Sequence, residues 1–170
     1  ESTKALAAKG ATVVMACRNL EKAEQAKAEV LADNPTAVLD VMPLDNASLA
    51  SVRDFVNAFK AKYDRLDILL NNAGLMGIPR ALTEDGFETQ LGVNHLAHFA
   101  LTGLLMDVIS ATPGARIHNV SSSAAFSGRI DFNDLMGEEA YSRWGAYGQS
   151  KLANAAFATE LNRRLQAAGH

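Results

Sequence analysis

The sequence has 170 residues, enough for one domain with a real core, and its 48% hydrophobic and 21% charged residues are ordinary for a globular chain. A formal net charge of −3, without a long basic run, argues against nucleic acid or an anionic membrane surface as partner. One cysteine, Cys17, excludes an intrachain disulfide framework; four histidines and one cysteine, with no C-x-x-C and no H-E-x-x-H, argue against a metal site; and no apolar run reaches the ~18 residues of a membrane span.

The opening stretch, ESTKALAAKG, reads as the later part of an amphipathic helix carrying Ala5, Leu6 and Ala8 and stopped by Gly10. It has neither an initiator Met nor a signal-peptide pattern, and LNRRLQAAGH at the other end is a helix that stops at Gly169. The chain reads as cut at both ends. Residues 11–17 (ATVVMAC) are a short β-rich apolar strand, and 19–33 a charged helix broken by Asn34-Pro35. Residues 37–45 (AVLDVMPLD) read as a second strand. Residues 46–63 place Leu49, Val52, Val56 and Phe59 on one helical stripe, with Asp45, Asn46 or Ser48 available as its cap.

LDILL (66–70) reads as a buried strand, followed by NNAG. The spacing predicts one long helix over 84–111, apolar on more than one face and ended by Thr112-Pro113-Gly114. ARIHNVSS (115–122) is a further strand, 123–142 a Ser-, Gly- and Asp-rich loop with one short turn, and 143–168 the final helix. Strands alternate with helices throughout. The expected fold class is therefore α/β, a doubly wound parallel sheet with helices on both faces, forming a single domain.

Ligands of such sheets bind beyond the carboxyl ends of the strands. Those ends carry Cys17-Arg18, Asp45, NNAG and three serines, Ser121 to Ser123. Arg18 stands where these folds hold a nucleotide ribose; an Arg there suits a 2′-phosphate, or simply starts the next helix. Ala73 and Gly74 let a backbone pass close to a ligand, or merely turn the chain. A serine hydroxyl can donate to a developing oxyanion, or cap a helix. Asn94 sits where a helix disfavours Asn, so it faces solvent or bonds something specific. His95 and His98 flank it and suit packing or surface roles; His118, in an apolar strand, suits a hydrogen-bonded core or a sheet-face position.

In AYGQSKLANA (146–155), Tyr147 and Lys151 are four residues apart, one helical turn of about 6 Å, and project from one face. A cation beside a phenol favours the phenolate and yields a usable general acid or base.

Together these pieces resemble the short-chain dehydrogenase/reductase family, over essentially the whole chain. The resemblance is carried by NNAG (71–74), Asn94 in GVNHLAHF, NVSSSAA (119–125) and Tyr147/Lys151 in AYGQSKLAN, in matching order and spacing. ACRN, NHLAHF, FNDL and YGQSKLANAAFATEL look most like the branch of retinol dehydrogenase-like and protochlorophyllide reductase-like enzymes. The resemblance implies a Rossmann-like domain and hydride transfer between NADP(H), preferred over NAD(H), and a small-molecule carbonyl or alcohol. Tyr147 would exchange a proton with the substrate oxygen. Lys151 would favour its phenolate and bond the nicotinamide ribose. Ser122, or failing it Ser123, would polarise the substrate, and Asn94 would complete a water-borne proton relay. Arg18 aligns with the basic residue of NADP-preferring members and Asp45 with the adenine-side aspartate. Asn71, Ala73 and Gly74 would line the adenosine pocket.

The resemblance also implies that the family's first strand, its T-G-x-x-x-G-x-G loop and its last two strands lie outside these residues. The strands at 11–17 and 66–70 would then lack their shared neighbour, and the 170 residues alone are expected to bind NADPH poorly and not to turn over. A cytoplasmic location and a homo-oligomer through the helices near 84–111 and 143–168 are further expectations. A non-catalytic nucleotide-binding protein on the same scaffold is the alternative, as is an epimerase or dehydratase sharing the Tyr–Lys pair.

Overall fold

The computed structural model describes residues 1–170, which divide into two compact units, Glu1–Asp45 and Asn46–His170. In the first unit, α1 (Ser2–Ala7) leads to β1 (Thr12–Cys17), α2 (Leu20–Asp33) and β2 (Val38–Pro43). The chain reverses at Gly10, whose φ of 81° few other residues adopt. The residue α1 buries is Ala7, whereas Ala5 and Ala8 are exposed. A helix of under two turns presents only a narrow face, and Ala7 holds it. Strands β1 and β2 pair in parallel from Thr12↔Val38 to Cys17↔Pro43. Asn19 caps α2 by accepting from Lys22 N at 2.9 Å. At its other end the Asn34 amide donates to Ala7 O at 3.2 Å, and Lys4 pairs with Asp33, fastening α2 to α1.

The second unit holds α3 (Leu49–Lys62) and β3 (Ile68–Asn71), then α4 (Thr89–Leu91), a π-helical turn (Gly92–Leu96), α5 (Ala97–Leu104) and α6 (Met106–Ala111). These are followed by β4 (Arg116–Asn119), a 3-10 turn (Ser123–Phe126) and α7 (Arg143–Ala167). Ser48 caps α3, which buries Val52, Phe55, Val56 and Phe59. Each such side chain contributes about 1.5–3 kcal/mol by leaving water. Strands β3 and β4 pair in parallel from Ile68↔Arg116 to Asn71↔Asn119.

Two expectations about this unit need correction. Strand β3 is not buried on both faces: Leu69 and Asn71 are inside, while Ile68 and Leu70 are 43% and 38% exposed. Nor is 84–111 one helix. Gly86 takes a φ of 84° and Glu88 is non-helical, so helix begins only at Thr89. Glu88 starts it, its carboxylate accepting from Gln90 N and Leu91 N at 2.9 and 2.8 Å. The run then widens into the π turn and breaks again at Leu105. No helix is long and apolar enough to cross a membrane.

Candidate active site

Strand β3 delivers residues 71–74 to the carboxyl edge of its sheet. Asn71 is turned inward: only 2% exposed, it donates to Thr102 Oγ1 at 3.0 Å and Asn119 Oδ1 at 2.9 Å. Its side chain ties β3 to β4 and α5, and its own Oδ1 has no partner within the protein. Ala73 and Gly74, by contrast, are exposed.

Asn94 lies in the π turn and is fully buried. Of the two alternatives the sequence left open, it bonds something specific. Its Oδ1 accepts from Leu75 N at 2.7 Å, and its amide donates to Leu75 O and Ser150 Oγ, both at 2.9 Å. The Asn94 side chain thus grips both backbone groups of the residue after NNAG. Its main-chain carbonyl is held as well, by Asn154 Nδ2 and His98 Nδ1, both at 2.9 Å. A π turn leaves carbonyls without their usual helical partners, and here side chains take them up. His98 Nδ1 donates, so its Nε2 is the acceptor for the Asn46 amide at 3.0 Å. Burial pushes the His98 pKa down to about 4, and it stays neutral at ordinary pH.

Helix α7 begins at Ser142, whose hydroxyl accepts from Gly145 N at 3.2 Å. Tyr147 is half-buried on its second turn, and Lys151 only 4% exposed on the third. The Lys151 Nζ lies 5.7 Å from the Tyr147 ring centroid and donates to Val120 O at 3.1 Å. Val120 follows β4, so the ammonium joins the end of that strand to the tyrosine. A Cβ at Gly74 would stand 3.1 Å from Asn94 Oδ1 and 3.5 Å from Lys151 Nζ. The NNAG backbone, Asn94, Lys151 and Tyr147 therefore meet in one place.

The serines after β4 divide their work. Ser121 donates to Lys151 O at 2.7 Å. Ser122 accepts from Ala124 N at 3.2 Å, capping the 3-10 turn, and keeps its own proton uncommitted within the protein. Ser123 is exposed inside that turn. The turn is pressed onto α7: a Cβ on Gly148 would lie 3.1 Å from Ala124 O, and one on Gly128 2.4 Å from Gly148 O. Only glycines permit that approach beside Tyr147.

In the first unit, Arg18 directly follows β1 and is exposed, and half-buried Asp45 lies just beyond β2. The parallel register puts both residues at the same edge of that sheet. Burial pushes the neighbouring Cys17 thiol up, away from thiolate chemistry. His118 is exposed on β4. A cleft of about 600 Å³ runs between α6, β4 and the second half of α7, and none of the predicted site residues lines it.

A family model described as short chain dehydrogenase matches residues 1–169. The chain belongs to the short-chain dehydrogenase family. It is 47% identical to retinol dehydrogenase 12 of Homo sapiens over 169 residues, 99% of this chain and 54% of that protein. It thus spans about half the length of the curated relatives it matches. Among solved structures, an uncharacterised protein from Mycobacterium paratuberculosis superposes with a TM-score of 0.85 at 46% identity, covering 99% of this chain and 58% of that one. The Pseudomonas aeruginosa RhlG/NADP active-site complex does so with a TM-score of 0.73 at 28% identity, covering 98% and 61%. The fold is that of the family: parallel strands alternating with helices, here part of the domain.

Sequence reasoning missed several residues that build this site. Asn154, 1% exposed, donates to Asn94 O and Val120 O and accepts from His95 Nδ1. Gln149, 7% exposed, accepts from Asp131 N and donates to Leu135 O, holding the loop before α7. Glu88 and Gln90 are buried at 1% and 0%. One signal was available: Gln149, Ser150 and Asn154 are polar residues among alanines on a helix, where each needs a tertiary partner.

Proposed function

We propose that this chain carries the proton-transfer centre of an NADP(H)-dependent oxidoreductase that interconverts a carbonyl and an alcohol. The observation that carries the proposal is the convergence of Gly74, Asn94, Lys151 and Tyr147. The residues fit a nicotinamide dinucleotide. The open backbone at Ala73 and Gly74 offers a close approach, and Lys151 donates one N–H to Val120 O and has two left for ribose hydroxyls. Arg18, exposed at a strand end, suits a 2′-phosphate, and Asp45, at the same edge of that sheet, would hold the adenine side. The NADP in the RhlG complex supports the same choice. The cofactor supplies or accepts the hydride.

The protein's own part is positional and acid–base. Tyr147 gives a proton to the substrate oxygen in reduction and takes it back in oxidation. Ser122, its hydrogen uncommitted, donates to that oxygen as negative charge develops. Asn94 holds Leu75 and Ser150, and Ser150 in turn donates to Tyr147 O at 2.8 Å, fixing the backbone that carries the tyrosine. With its side-chain atoms and its main-chain oxygen all bonded within the protein, Asn94 acts by holding these segments in place. The retinol dehydrogenase relatives support an alcohol–aldehyde pair as substrate.

The test is Tyr147→Phe in the intact protein with NADPH and an aldehyde. Turnover should fall by about 10²–10⁴-fold while NADPH binding stays within about twofold. Unchanged turnover overturns the reading and favours a nucleotide-binding role.

A further inference from the structure

Trp144 is the second residue of α7 and 63% exposed. Two observations set it apart from an ordinary surface aromatic. It stands edge-on to Tyr147, with ring centroids 6.1 Å apart at 82°. It is also held in place from below. Fully buried Gln90 accepts from Gly77 N at 2.8 Å and donates to Arg143 O at 2.9 Å, so one side chain joins the two backbone segments that meet at the indole. The Tyr141 hydroxyl adds to the brace, accepting from Gln90 Nε2 at 2.9 Å and lying 3.1 Å from Ile78 O and Glu88 Oε1. Gly77 completes the seat. Its φ is 64°, and a Cβ there would sit 3.4 Å from the indole ring. Its neighbour Met76 leaves a 60% exposed thioether side chain beside this seat.

A large aromatic surface that is rigid, solvent-facing and adjacent to a reacting hydroxyl is preorganised for an apolar ligand. We infer that Trp144 is a specificity-determining residue, its indole receiving the apolar chain of a substrate whose oxygen faces Tyr147. The substrate class is an aliphatic alcohol or aldehyde with a long hydrocarbon tail. This inference rests on the acid–base reading of Tyr147.

This sequence contains one tryptophan, so Trp144 is its own reporter. In the intact protein, decan-1-ol should change the Trp144 emission saturably, read as the difference between wild type and Trp144→Phe. In the same preparations, kcat/KM for decanal relative to propanal should fall about 10-fold or more in Trp144→Ala, and Trp144→Phe should restore most of it. An emission difference that does not saturate overturns the inference. So does an equal fall for both aldehydes, which would make Trp144 a support for Tyr147 and no more. Saturable emission without turnover of either aldehyde rejects the oxidoreductase reading and leaves the apolar site standing.

Discussion

The two halves of α7 have opposite chemistry. From Gly148 to Asn154 the helix buries Gln149, Ser150, Lys151 and Asn154; Gln149, Lys151 and Asn154 each bond a backbone group elsewhere in the unit, and Ser150 accepts from the Asn94 side chain. Around Glu160 it exposes charges that bond only their own helix, Arg163 and Arg164 lying one turn away. Both halves are polar by composition. Only the first half uses its polarity over distance, and that is the half that carries Tyr147. Side-chain hydrogen bonds along a helix stabilise the helix, whereas those leaving it fix where the helix sits.

That contrast can be broken at several points. The largest expected effect is on pH. His98 shares the Asn94 carbonyl with Asn154, and its pKa is about 4 folded against 6.5 unfolded. Below pH 6.5 the unfolded chain binds a proton that the folded protein refuses until about pH 4. The folded state therefore loses about 3 kcal/mol from this group as pH drops across that window. Urea unfolding at pH 7 and pH 4, set against His98→Gln, should show the difference; equal pH dependence in the two proteins would refute it.

Next is Asn154→Ala. It strips one donor each from Asn94 O and Val120 O and leaves the His95 ring nitrogen without its acceptor. A loss of about 2 kcal/mol in urea unfolding is expected. Gly148→Ala should cost about 1–2 kcal/mol, because its methyl meets the Ala124 carbonyl at 3.1 Å. It should also lower turnover by shifting the Ser122 turn, measured with NADPH and aldehyde. The smallest effect belongs to Glu160→Gln. The Arg163 and Arg164 guanidiniums hold the Glu160 carboxyl down to about 2. The group is exposed, however, and the unfolding midpoint should not move measurably in 0.15 M salt. A clear shift there would undo the distinction between the halves.

Much of this was legible in the chain. Strands 11–17 and 37–45 and the helices at 19–33, 46–63 and 143–168 appear where periodicity and capping residues put them, within a few residues. The pairing of Tyr147 with Lys151 followed from helical spacing alone. The region 84–111 was misread because its apolar residues keep a helical rhythm through Gly86, a left-handed turn that periodicity does not register. The π turn was hidden for a related reason: it is a widened backbone pattern, and the side chains that take up the Asn94 carbonyl, Asn154 and His98, lie 60 and 4 residues away. Asn71 belongs to a loop motif in the sequence. Its inward turn depends on Thr102 and Asn119, which no local pattern connects to it.

The Val120 carbonyl receives two donors, Lys151 Nζ and Asn154 Nδ2. A carbonyl oxygen has two lone pairs, so this acceptor is saturated. The donors sit three residues apart on one helix and converge on a single fixed atom, as two legs converge on a hinge pin. Sliding α7 along its axis would lengthen one leg, and rolling it would swing both away. The two bonds thus resist both translation and rotation of the half of the helix that carries Tyr147. A motion that admits a ligand is therefore expected in the segments facing α7, with the tyrosine as the stationary jaw.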